Sequence, residues 1–172
     1  RASFRPAIFG KIYKANFCEK VGGDVSEVAR GMGLDNRIGG KFLNAGPGYG
    51  GSCFPKDTLA LIKTGEDNEV PMQVVRSVIK SNENRKFAMA NKIIDACGGT
   101  IEGKKIAVLG LTFKANTDDI RDAPSLCIIP ELLKAGAKIN VYDPEGMNEA
   151  KTHFGETLKY CNNAIEATNN VD

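Results

Sequence analysis

The sequence predicts an α/β protein: a mainly helical portion over residues 1–98, then a parallel layer of strand, crossover helix and strand over 99–172. Three stretches carry that prediction. Apolar residues recur at helical spacing through Met72, Val75, Val78, Ile79, Met89, Ile93 and Ile94, far enough for one long helix. Lys104 to Gly110 (K-K-I-A-V-L-G) is a buried-strand signature, an apolar run closed by glycine. Between 44 and 57 the chain reads N-A-G-P-G-Y-G-G-S-C-F-P-K-D, where four glycines and two prolines exclude regular helix or central strand.

In chain order, Ala15, Cys18 and Val21 share a helical face that Gly22-Gly23 stops, and Asp24 caps a short helix through Arg30. Ahead of them, Pro6 and Gly10 are poor residues for a helix interior. Gly33 to Lys41 is a polar, glycine-rich approach to the 44–57 loop, and a short helix from near Phe54 to Glu66 follows it. Val70-Pro71 opens the long helix and Gly98-Gly99 ends it after residue 97. At 1.5 Å per residue it runs ~40 Å, a length that bridges two lobes. Its middle, Ser81 to Lys86, reads as a solvated polar face, and Cys97 as structural. After the first strand come a helix from Pro124 to Ala135 with Gly136 as its cap, a strand Lys138 to Tyr142, and a helix over Glu145 to Phe154. Such an order implies a right-handed parallel unit. Leu158 to Tyr160 is weak, and Ala164 to Asp172 peters out, so the layer reads as cut short.

Cys53 closes the glycine loop at the start of a helix, with Lys56 and Asp57 three and four residues on. Orphan helix N–H groups and a nearby ammonium favour a thiolate, which is how a nucleophilic cysteine is prepared. The plainer alternative is a glycine-rich loop with an inert thiol. Composition narrows the chemistry further. A net charge of +2 without a long basic run points away from nucleic acid and membrane surfaces. No apolar stretch approaches the ~18 residues of a membrane span, and no signal-peptide pattern opens the chain. Five widely spaced cysteines without C-x-x-C, beside a single histidine, argue for reduced cytoplasmic thiols over a disulfide framework or zinc site. A cysteine–histidine hydrolase would need its base at His153, so lysine and aspartate are the available acid–base groups.

Three motifs carry a resemblance to a known family: Asp35 to Asn44 (D-N-R-I-G-G-K-F-L-N), Gly46 to Asp57 (G-P-G-Y-G-G-S-C-F-P-K-D) and Gly110 to Ser125 (G-L-T-F-K-A-N-T-D-D-I-R-D-A-P-S). They resemble the UDP-glucose/GDP-mannose dehydrogenases, and Ser52-Cys53 with Phe54-Pro55-Lys56 is similar to the UDP-glucose branch. The resemblance covers most of residues 15–155. It implies a helical central dimerisation domain (1–98) and a truncated Rossmann-like parallel α/β UDP-binding domain (99–172), with an NAD-binding domain ahead of residue 1. The implied activity is the NAD-dependent oxidation of UDP-glucose to UDP-glucuronate in two hydride transfers, by a cytoplasmic homodimer. Cys53 would form a thiohemiacetal and then a thioester, and Asp57 would orient or activate the hydrolytic water, with Lys56 as local electrostatic support.

The implied substrate contacts are Arg37, reaching the neighbouring subunit's sugar nucleotide, then Phe42, Leu43 and Asn44, Tyr49 and Gly50, and Phe113 and Lys114. Arg121 resembles a residue directed toward the cofactor. On their own chemistry Arg37 is equally a solvated arginine, and Asp118, Asp119 and Arg121 an ion-pair cluster holding a loop. Asp143 resembles a ribose-binding acid by position, but we read it as the cap of the helix after it. Before Ala15 the resemblance fails, and the family's catalytic lysine and asparagine have no counterpart to carry over. The turn after the first strand has one glycine and no G-x-G-x-x-G, so no NAD fingerprint is present and the chain alone is expected to be inactive. The alternatives are a non-catalytic dimerisation and sugar-nucleotide-binding module, or part of a GDP-mannose 6-dehydrogenase.

Overall fold

The computed structural model describes residues 7–41 and 43–172, with side chains from Lys14 onward. The chain forms two compact units, one ending at Pro47 and one running from Gly48 to Asp172. The first holds α1 (Ala7–Val21) and α2 (Val25–Gly33). Gly10 sits inside α1 after all: one interior glycine costs ~1 kcal/mol, which the rest of the helix offsets. Pro6 lies outside the described residues. Ala15 and Cys18 are buried, whereas Val21 at the frayed end is exposed. Gly22 takes a left-handed φ of +72°, and the Gly23 N–H donates back to the Cys18 carbonyl at 2.7 Å, closing the helix. The Asp24 carboxylate accepts the Ser26 N–H at 2.7 Å and opens α2, as the sequence predicts.

The second unit contains α3 (Phe54–Asp67), α4 (Gln73–Ala96), β1 (Lys105–Leu109), α5 (Ser125–Lys134), β2 (Lys138–Tyr142), α6 (Met147–Phe154), β3 (Lys159–Tyr160) and α7 (Ala164–Thr168). The strands lie in the order β1-β2-β3, all parallel, with Lys105 opposite Lys138 and Asn140 opposite Lys159. Ile106, Ile139 and Val141 from the sheet, Ile129 and Leu132 from α5, Ala90 from α4 and Ala150 from α6 make the core. Ile129, Leu132 and Val141 are completely buried, each stabilising the unit by ~2 kcal/mol or more.

Helix α4 is the beam of this unit, ~36 Å long at 1.5 Å per residue. Val75 and Val78 are buried near one end, where α4 packs on α3; Ala90, Ile93 and Ile94 join the sheet's core at the other. Its polar middle is not a solvated face. Ser81, Asn82, Arg85 and Lys86 are all buried, because they continue the inward stripe of Val75, Val78, Ala90 and Ile93.

The tail also holds more structure than the sequence predicts. Asn163 caps α7 by accepting the Glu166 N–H at 2.8 Å, while the Glu166 carboxylate accepts the Asn162 N–H at 2.9 Å. Ala167 is buried and its carbonyl accepts the Asn140 side-chain amide at 3.0 Å, tying α7 to β2. Asp172 then hydrogen-bonds Lys105 on the edge of β1 away from β2, its N–H reaching the Lys105 carbonyl at 2.9 Å. The C-terminal ends of the parallel strands, where open sheets of this kind bind ligands, lie at the other end of β1.

Candidate active site

The glycine loop is held from two directions. From α4, the Asn82 carbonyl oxygen accepts the Tyr49 N–H at 2.8 Å and its amide donates to the Tyr49 carbonyl at 3.1 Å. From the connection after β1, the Arg121 carbonyl accepts the Gly51 N–H at 2.7 Å. A Cβ on Gly50 would stand 2.2 Å from the Asp122 carbonyl oxygen, and one on Gly51, whose φ is +93°, 2.7 Å from the Phe113 ring. Only glycine permits that approach. Tyr49 is half-buried, with its ring edge-on to Phe54 at 4.7 Å between centroids. Burial pushes its phenol pKa up, and the Glu83 carboxylate adds to this against the Thr58 hydroxyl.

Cys53 emerges from this wedge as the residue just before α3. It is exposed, whereas the other four cysteines are buried or half-buried. Its carbonyl accepts the Asp57 N–H at 2.9 Å, so the exposed Asp57 stands one helical turn on. Ser52 places its hydroxyl 3.7 Å from the sulfur. The thiol thus lies at the unsatisfied N–H end of a helix, on a backbone fixed behind it.

The connection from Gly110 to Ala123 is fixed as firmly. The buried Asp143 carboxylate accepts the N–H groups of Leu111 at 2.7 Å and Thr112 at 3.3 Å, and those of Glu145 at 2.9 Å and Gly146 at 2.7 Å. Burial works to raise its pKa, but these donors together hold it below the usual carboxylate value. Asp143 is therefore the cap of the turn before α6, and it also fastens the exit of β1. The Asp119 carboxylate grips Arg121 through the backbone N–H at 2.9 Å, Nε at 2.9 Å and Nη2 at 2.7 Å. Hydrogen bonds from Arg121, with help from Lys114, bring the Asp119 pKa down to about 2. Arg121 is raised in turn, by Asp119 first, and Cys53 acts in the same direction. The Lys114 ammonium lies 5.2 Å from the centre of the Phe113 ring.

Tyr49, Gly50, Cys53, Asp57, Phe113, Lys114 and Arg121 all belong to the unit from Gly48, and the close contacts above join Gly50 and Gly51 to the 113–122 segment. Arg37, Leu43 and Asn44 belong to the other unit, and Phe42 lies outside the described residues. Arg37 is exposed and gripped by Asp35, whose pKa its side-chain and backbone hydrogen bonds lower. Buried Leu43 and exposed Asn44 line a groove of about 520 Å³ with Val25, Ala29, Gly33 and Leu34. Asn82 is the residue the sequence reading missed; its signal was the polar quartet 81, 82, 85 and 86 falling on the apolar stripe of α4.

Among the described residues no cluster of three histidine, cysteine or acidic groups could hold a metal, and no helix is long and apolar enough to cross a membrane. A dinucleotide does not fit the turn after β1 either. The Leu111 and Thr112 N–H groups that would face its phosphates are taken by Asp143, and only Gly110 offers a close backbone approach.

Comparison with known proteins gives two family matches. Residues 13–84 match the central domain, and residues 107–172 the UDP-binding domain, of the UDP-glucose/GDP-mannose dehydrogenase family. A UDP-glucose 6-dehydrogenase of Rhizobium meliloti is 61% identical over 92% of this chain and 36% of its own length. The solved UDP-glucose dehydrogenase of Pyrobaculum islandicum superimposes with a TM-score of 0.81 at 35% identity, covering 96% of this chain and 39% of that one. The GDP-mannose dehydrogenase of Pseudomonas aeruginosa gives a TM-score of 0.55 at 28% identity, over 83% of this chain and 32% of its own. The chain spans about a third of the length of the curated relatives it matches.

Proposed function

This chain belongs to the UDP-glucose/GDP-mannose dehydrogenase family, and we propose that within a longer protein it supplies the nucleophile and the sugar-nucleotide end of an NAD-dependent UDP-glucose 6-dehydrogenase. The observation that carries this reading is Cys53, the exposed thiol among five, at a helix N-terminus on a loop wedged against the C-terminal end of β1. The greater similarity to the UDP-glucose enzymes than to the GDP-mannose enzyme supports the choice of sugar nucleotide. The family matches support a central domain over 1–98 and a UDP-binding domain over 99–172.

The part played by this chain's residues is covalent. The Cys53 thiolate adds to the C6 aldehyde of the half-oxidised sugar, forming a C–S bond and, on protonation of the oxygen, a thiohemiacetal. Once that carbon stands at the thioester level, water attacks it, the C–S bond breaks and the thiol is regenerated with a C6 carboxylate. Asp57, one turn from Cys53, takes the water's proton. NAD is the oxidant, held by residues other than the described ones, with Arg121 directed toward it; the chain alone is inactive. Phe113 and Lys114 hold the sugar nucleotide with Tyr49 and Gly50. By their resemblance to the family's substrate segment Phe42, Leu43 and Asn44 contribute to sugar-nucleotide binding, and Arg37 serves the neighbouring subunit of a homodimer.

Titration calorimetry of this chain with UDP-glucose, UDP and GDP-mannose tests the reading. UDP-glucose and UDP should bind, and GDP-mannose at least tenfold more weakly. Equal or tighter binding of GDP-mannose would overturn the substrate assignment.

A further inference from the structure

We propose that Asn82 is a positioning residue for Cys53, acting through the backbone of the glycine loop; the functional meaning of this rests on the dehydrogenase reading above. Asn82 is 1% exposed at the middle of α4, far along the chain from the loop, yet it satisfies both backbone polar groups of Tyr49 with one side-chain amide. A carboxamide offers an acceptor and a donor side by side, and glutamine, which shares it, carries it one methylene further from the helix. Gly48, with φ +144°, is seated on the same residue: a Cβ there would meet the Asn82 oxygen at 3.0 Å and the Lys86 stem at 3.1 Å. Lys86 is itself buried and pairs with Glu83 at 3.0 Å, and Glu83 also lies 3.4 Å from the Asn82 amide. The buried polar stripe of α4 is thus a fixed seat for Gly48 and Tyr49. From Tyr49 the chain needs only Gly50, Gly51 and Ser52 to reach the thiol, and the first two are pinned against Asp122 and Phe113. Asn82 and the 113–122 segment therefore set where Cys53 stands relative to the N-terminus of α3. Loss of the seat frees the loop that carries the thiol, so the sulfur is no longer presented in one place at the head of α3.

The test is the rate of iodoacetamide labelling of Cys53 at pH 7 in this chain, read by mass spectrometry with the other four cysteines as internal references. Asn82→Ala should slow Cys53 at least fivefold and leave the others within twofold. Asn82→Asp, which keeps the acceptor for the Tyr49 N–H, should recover at least half of the loss. Gly48→Ala should slow Cys53 alone, and its effect should not add to that of Asn82→Ala, since both act on one seat. Urea unfolding of each variant separates the folded from the unfolded. If Asn82→Ala does not fold, Asn82→Asp and Gly48→Ala carry the test. Folded variants that label Cys53 at the parent rate would overturn the proposal. The readout contains no sugar nucleotide, so failure of UDP-glucose to bind the parent would sink the dehydrogenase reading while leaving this one standing.

Discussion

The chain builds the same turn twice. In Asp35-Asn36-Arg37 and in Asp119-Ile120-Arg121 an aspartate accepts the N–H of the arginine two residues on, at 2.9 Å in both, and grips its guanidinium through Nε and Nη2. The surroundings differ. The Asp35 backbone bonds only to near neighbours, its N–H to the Met32 carbonyl at the end of α2 and its carbonyl to the N–H groups of Ile38 and Gly39, and Arg37 is left 89% exposed. The second turn is woven into the unit: the Asp119 carbonyl accepts the Phe113 N–H at 3.1 Å and the Arg121 carbonyl accepts Gly51 at 2.7 Å. Identical local chemistry orients both arginines, but only the second turn is anchored by the rest of its unit. An exposed ion pair of the first kind is worth little, whereas backbone bonds in a packed loop are costly to lose.

Breaking the anchored turn should therefore cost far more than breaking the free one. The largest effect is expected from Gly50→Ala, whose Cβ would collide with the Asp122 carbonyl; only a backbone shift relieves it, so urea unfolding should report a loss of about 3 kcal/mol. Asp143→Ala strips four backbone N–H groups of their acceptor and should cost about 2 kcal/mol in the same measurement.

Acid sharpens the contrast. Because the folded Asp119 pKa, about 2, lies below an unfolded value of ~3.9, its stabilisation is complete above that unfolded value and disappears as pH falls through the folded one. The gap in urea midpoint between the parent and Asp119→Asn should accordingly close between pH 5 and pH 2. Asp35→Asn follows the same sign with the smallest effect, a urea midpoint barely moved from that of the parent at pH 7.

Much of this was legible in the residues. The α/β order, the caps at Asp24 and Gly22, the strands β1 and β2 and the place of Cys53 at the head of α3 follow from spacing and turn chemistry. Two features were not. The α4 stripe at 81, 82, 85 and 86 looks solvated on composition, because the partner that satisfies Asn82 is a loop more than thirty residues away. Helix α7 was passed over although Asn163 and Glu166 spell a reciprocal cap, since five residues carry little periodicity. Asp143 was readable in its local role as a cap; its grip on Leu111 and Thr112 depends on the parallel register of β1 and β2, which no short window of sequence contains.

The most direct measurement of the central claim, that this chain presents an assembled nucleophile, is iodoacetamide labelling of all five cysteines across pH 6 to 9, with and without UDP-glucose. Cys53 should react first, and UDP-glucose should slow it while leaving the other four unchanged. Cys53 reacting no faster than the half-buried thiols, or at a rate that UDP-glucose does not change, would contradict the account.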